Sequence, residues 1–107
     1  MKIFIKFCTA ITLLLTSSLV IATDVRGRVD TQNPYNGYYQ PLPRAEVALV
    51  NPMNNQPVAV TFTGMDGFYY FYNIYPGNYY LLVNRALNVP VSIPNVPGFD
   101  INPVLFR

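Results

Sequence analysis

The sequence predicts an all-β fold, a seven-stranded antiparallel sandwich. Three observations carry this. Ten prolines and six glycines punctuate short runs rich in Val, Phe and Tyr. No run of helical period survives past residue 22. Asp66-Gly67 and Pro76-Gly77 separate aromatic runs with turn chemistry.

The strands follow in order. Residues 24–30 (DVRGRVD) alternate around Val25 and Val29. Residues 45–50 and 58–63 (VAVTFT) are β-branched and apolar. Residues 68–72 (FYYFY) and 78–84 (NYYLLVN) are aromatic, and 89–94 and 100–106 complete the set. Residues 31–41 (TQNPYNGYYQP) read as a loop from their Asn, Pro and Gly content, yet they carry Tyr35, Tyr38 and Tyr39. The turn at residues 64–67 suits a hairpin with positive φ at Gly67. If the strands flanking residues 73–77 also form a hairpin, Phe71 pairs with Tyr79 and Tyr69 with Leu81 on one face. Tyr70 with Tyr80 and Phe68 with Leu82 then pair on the other.

The first 22 residues fall outside this pattern. Lys2 and Lys6 precede an apolar run that ends at Val20-Ile21-Ala22, the layout of a secretory signal cleaved after Ala22. The alternative is a retained membrane anchor, but the run is short of the ~20 residues that a spanning helix needs, and after cleavage no membrane span is expected. The domain is then residues 23–107, exported to the periplasm, the cell envelope or the medium. Its charges are Arg26, Arg28, Arg44, Arg85 and Arg107 against Asp24, Asp30, Glu46, Asp66 and Asp100. That balance argues against nucleic acid and anionic membranes as partners. The lone Cys8 lies in the signal, so packing without disulfides must hold the domain.

Catalytic chemistry has little to work with. The chain has no His, and past the signal it has no Cys or Lys and a single serine, Ser92. General acid–base and nucleophilic catalysis lack their usual groups. Zinc ligands are absent in kind, and Asp66 beside backbone carbonyls is better read as a turn-former than as a Ca²⁺ ligand. The expectation is a non-enzyme without cofactor or metal.

Three segments carry a family resemblance: VRGRV at 25–29, PLPRAEVAL at 41–49, and TGMDGFYYFYNIYPGNYYLLV at 63–83. They resemble the carboxypeptidase regulatory-like domain, within the transthyretin-like group of Greek-key sandwiches. Gly64 departs from that pattern where Asp is usual, and Arg44 stands where the family has Gly. The resemblance implies a core of Tyr69, Phe71, Ile74, Tyr79, Leu81 and Val83, joined by Val25, Val29, Leu42, Ala45, Val47 and Leu49. It leaves Phe68, Tyr70, Tyr72, Tyr80 and Leu82 as surplus on the outer face of one sheet.

Three uses of that surplus stand side by side. Exposed aromatics suit a protein partner or self-association. The nine tyrosines and eleven asparagines equally suit sugar stacking, a carbohydrate-binding module. Plain cross-strand packing is the third. The expected role is a non-catalytic interaction or structural subunit of the cell envelope. Its candidate contacts are Phe68, Tyr70, Tyr72, Tyr80 and Leu82 with the loop residues Tyr35, Tyr38 and Tyr39.

Overall fold

The computed structural model describes residues 20–106. The expected export signal lies outside them up to residue 19. The described chain holds nine strands and no helix: β1 Thr23–Gln32, β2 Tyr39–Pro41, β3 Glu46–Asn51, β4 Gln56–Phe62, β5 Phe68–Ile74, β6 Gly77–Val83, β7 Leu87–Ile93, β8 Gly98–Asp100 and β9 Val104–Phe106. They form two sheets, the sandwich that the sequence predicts.

One sheet is organised around β1. Its side chains alternate: Thr23, Val25 and Val29 are buried while Asp24 and Arg26 face water. β5 pairs with the first half of β1 and β2 with its end, both antiparallel. β8 and β9 run parallel to β1, on residues that also pair with β5 and β2, and so occupy its other edge. The second sheet is antiparallel in the order β4-β3-β6-β7. The core lies between the sheets. Val25, Val29, Ala45, Val47, Leu49, Tyr69, Phe71, Ile74, Leu81 and Val83 are buried, with Leu42 and Tyr79 partly buried against them. Every core position implied by the resemblance is therefore inward.

Gly27 explains the VRGRV segment physically. It faces the core directly opposite Tyr69, and a Cβ there would collide with the Tyr69 ring and hydroxyl. The missing side chain is the space that the tyrosine fills.

Four expectations are corrected. The loop at 31–41 is largely a hairpin, because β1 runs on to Gln32 and pairs with β2. The run at 100–106 is two short strands, interrupted at Ile101–Pro103. The connection at 64–67 joins β4 to β5 in the opposite sheet and is not a hairpin. Gly67 does have the expected positive φ of 80°, and a Cβ on it would come within 2.8 Å of Pro41 and of the Val29 carbonyl. Lastly, β5 and β6 do not pair. They belong to opposite sheets, so Tyr70–Tyr80, Phe68–Leu82, Phe71–Tyr79 and Tyr69–Leu81 are not cross-strand neighbours. Only Tyr75 and Pro76 link the two strands, and the chain changes sheets there.

Candidate interaction surface

The change of sheet splits the surplus aromatics. Phe68, Tyr70 and Tyr72 lie on the outer face of the β1 sheet, and Tyr80 and Leu82 on the outer face of the other. They are not one stripe. All five do point away from the core, as their alternation with buried neighbours requires.

The outer face of the β1 sheet is charged. Arg26 donates to both Asp100 carboxylate oxygens, at 3.2 and 2.9 Å, and Arg28 to Asp30 at 2.7 Å. The hydrogen bond to Asp100, and then its charge, push the Arg26 guanidinium above its ordinary range. Both guanidinium carbons stand over the Phe68 ring, 5.6 and 5.8 Å from its centroid. Phe68 is thereby covered, while Tyr70 and Tyr72 stay exposed beside it. The Arg26–Asp100 pair ties β1 to β8, Arg28–Asp30 lies within β1, and both pairs occupy their own charges.

The outer face of the β4-β3-β6-β7 sheet is apolar. Cross-strand register places Val60, Ala48, Leu82 and Asn88 in one row, with Val50, Tyr80 and Pro90 in the next. Ala48 is small, so the middle of the sheet is low and its neighbours stand around it. The result is an open groove of about 520 Å³. Ala48, Val50, Pro57, Val60, Tyr80 and Leu82 form its apolar lining, and Glu46, Asn55, Arg85 and Asn88 its polar rim. Its size is that of a small-molecule or side-chain pocket. Arg85 donates to Glu46 at 3.0 and 3.5 Å from the β6–β7 turn. Asn84 and Arg85 in that turn have φ of 50° and 56°, and Ala86 N–H donates to Val83 O, as in a type I′ turn. Phe62 stands beside the groove at 61% exposure.

Sequence reasoning located Tyr80 and Leu82 but missed Val50, Val60 and Phe62. The signal was present: residues 58–62 alternate Val, Ala, Val, Thr, Phe, with the larger apolar residues on one face.

The tyrosine segment forms a separate surface. Asn33 Oδ1 accepts the Tyr35 amide at 2.8 Å and Asn36 Oδ1 the Tyr38 amide at 2.9 Å. Gly37 N–H returns to Asn33 O. This turn holds Tyr35, Tyr38 and Tyr39 outward at 96, 74 and 63% exposure.

Asp66 is used by its turn, where Oδ1 accepts the Phe68 amide at 3.0 Å. Among the described residues no three His, Cys, Asp or Glu gather at one point. Nor is any helix there long and apolar enough to cross a membrane.

No protein-family model and no curated protein match the chain. Solved structures do. The major pilin subunit BcpA of Bacillus cereus is 12% identical with a TM-score of 0.52, over 77% of this chain and 30% of the pilin. DUF3823 family proteins of Parabacteroides merdae and Bacteroides ovatus are 22 and 17% identical, with TM-scores of 0.49 and 0.47. They match over 79 and 76% of this chain and 46 and 43% of theirs. The chain thus spans less than half of each of these proteins. At these identities the pilin match supports the sandwich fold and nothing finer.

Proposed function

We propose that the chain is an exported, non-catalytic sandwich module of carboxypeptidase regulatory-like type. It serves as an interaction or structural subunit of the cell envelope. The observation that carries this reading is the groove on the β4-β3-β6-β7 sheet. An aromatic ring and aliphatic side chains surround a small floor residue there, with hydrogen-bonding groups confined to the rim. Interface cores combine apolar centres with polar rims in this way. The occupant is a side-chain cluster of a protein partner, with Tyr80 and Leu82 as the main contacts. Tyr70, Tyr72 and the turn tyrosines Tyr35, Tyr38 and Tyr39 are further candidate contacts on other faces.

The test is capture of envelope proteins by the exported chain, followed by the Tyr80→Ser and Leu82→Ser double variant. Specific partners are expected with the parent and at least about a tenfold loss of capture with the variant, since truncating central contacts costs more than ~1 kcal/mol each. Unchanged capture with the fold intact sinks the groove as the binding site. Saturable binding of a polysaccharide, abolished by the same variant, would replace the protein reading with the carbohydrate-binding one.

A further inference from the structure

Every open sheet has edge strands, and alternate residues of an edge strand aim N–H and C=O at solvent. The edges here differ sharply in what they offer. On β7, the residues facing outward are fixed by the β3–β6 ladder, where Asn84 N–H donates to Glu46 O at 2.8 Å. Tyr80 and Leu82 therefore bond to β3, and Tyr79, Leu81 and Val83 to β7. The outward β7 residues are Asn88, Pro90 and Ser92, and the central one has no N–H.

On β5, Val29 N–H donates to Gly67 O at 2.9 Å, so Tyr69 and Phe71 bond β1 while Phe68 and Tyr70 face away. Phe68 is already taken: its N–H by Asp66 and its C=O by Gly64 N–H. A register shift opposite Asp24 then interrupts the regular β1–β5 ladder. β2, β8 and β9 have three residues each and lie against Pro41, Pro97 and Pro103.

β4 is different. Thr63 N–H donates to Ala45 O at 2.9 Å, so Thr61 and Ala59 bond β3 and both Val60 and Phe62 aim their backbone groups outward. Pro57 and the register shift at Leu49/Val50 lie at the far end of the strand. Its side chains at these positions are 52 and 61% exposed, and no residue of β4 is charged.

We infer that the β4 edge takes a second copy of this chain, paired antiparallel about a two-fold axis at Thr61. That register sets Val60 against Phe62 of the second copy on the outer face, twice. It joins them by two reciprocal pairs of backbone hydrogen bonds. Thr61 meets its own equivalent on the inner face, and Thr–Thr pairs favour such contacts. A second copy is the fitting occupant because the segment is self-complementary about the axis and brings no like charges together. The two four-stranded sheets become one, with both grooves open on the same face. The contact shares Val60 with the groove lining, but it is made by the β4 backbone and needs no particular groove occupant.

Sedimentation velocity on the exported chain, over a wide concentration range, tests this. A monomer–dimer equilibrium is expected. Val60→Pro removes an outward N–H and leaves the β3 ladder intact, and Phe62→Lys sets two cations across the axis. Each should weaken dimerisation by about tenfold or more. Tyr70→Lys on β5 and the Tyr80→Ser, Leu82→Ser variant should leave it unchanged. Circular dichroism checks folding, and Phe62→Lys decides alone if Val60→Pro does not fold. A parent that stays monomeric overturns the inference, even if it captures an extended strand of another protein. So does a dimer that survives Phe62→Lys, or one lost to Tyr70→Lys instead.

Discussion

Tyr69 shows how one side chain serves the core at a local cost. Its ring fills the space over Gly27 and meets Phe71 edge-on at 5.6 Å. Its hydroxyl is buried with no hydrogen-bond partner among the described residues. A buried unpaired hydroxyl costs about 1–3 kcal/mol. Tyr69→Phe keeps the ring and removes the cost, so chemical denaturation should show equal or greater stability, by up to about 1 kcal/mol. The pH dependence distinguishes the cause. Burial pushes the Tyr69 phenol above its ordinary value of 10.0. The folded chain therefore holds that proton after the unfolded chain has lost it. Stability should be intact below pH 10 and fall as pH rises beyond it, by up to ~1.4 kcal/mol per unit from this group. In Tyr69→Phe that part of the alkaline decline should vanish. A variant less stable than the parent, with an unchanged alkaline limb, would mean that the hydroxyl is satisfied.

At the scale of elements, the sequence revealed faces better than partners. Tyr69 and Phe71 alternate with Phe68, Tyr70 and Tyr72 whether β5 pairs with β6 or lies in the opposite sheet. Period two cannot tell a hairpin from a change of sheet. The aromatic groups of β5 and β6 therefore read as one stripe, and the groove on β3, β4 and β6 was only half legible. The hairpin at 31–41 was hidden for another reason: Asn33, Pro34, Asn36 and Gly37 do build a turn, and the flanking pairs are too short to show a period. The β2–β3 connection was legible in a different way, because Arg44 stands where the resembled family has Gly. Its φ is 57°, a left-handed conformation that costs a non-glycine residue roughly 1–2 kcal/mol. The surrounding bonds hold it there. Arg44 N–H donates to Thr63 O, and the buried Thr63 hydroxyl donates to Leu42 O at 2.7 Å and accepts the Ala45 amide at 2.8 Å. Arg44→Gly should relieve the strain, offset partly by glycine's freedom in the unfolded chain. Thermal unfolding is expected to show a gain of about 0.5–1 kcal/mol, and a loss would mean that the Arg side chain contributes packing of its own.

For the molecule as a whole, the decisive element is β1. Among the described strands it alone joins four others, and the pairs Val25–Phe99 and Val29–Val104 link it to the far end of the sequence. Thr23 adds a third link: its buried hydroxyl lies 2.6 Å from Val96 O and 3.1 Å from Pro94 O. The β1 sheet cannot close until residues 98–106 arrive, so the loops that must form are long. Refolding is then expected on the millisecond-to-second scale of non-local β topologies, as followed by stopped-flow tyrosine fluorescence. The same dependence makes the C-terminal strands indispensable. Removing residues 98–107 exposes one whole edge of β1 and takes away the buried Ile101 and Val104. Those two side chains account for roughly 1.5–3 kcal/mol each, and each lost backbone hydrogen bond adds about 1 kcal/mol. A domain of this size has only about 4–13 kcal/mol of net stability, so the truncated chain should fail to fold. It should show no cooperative melt by circular dichroism and rapid proteolysis, whereas Val104→Ala alone should fold with a lowered Tm. A truncated chain that keeps a cooperative melt would show that the β4-β3-β6-β7 sheet can hold β1 and β5 without help, and would move the centre of stability from β1 to β3.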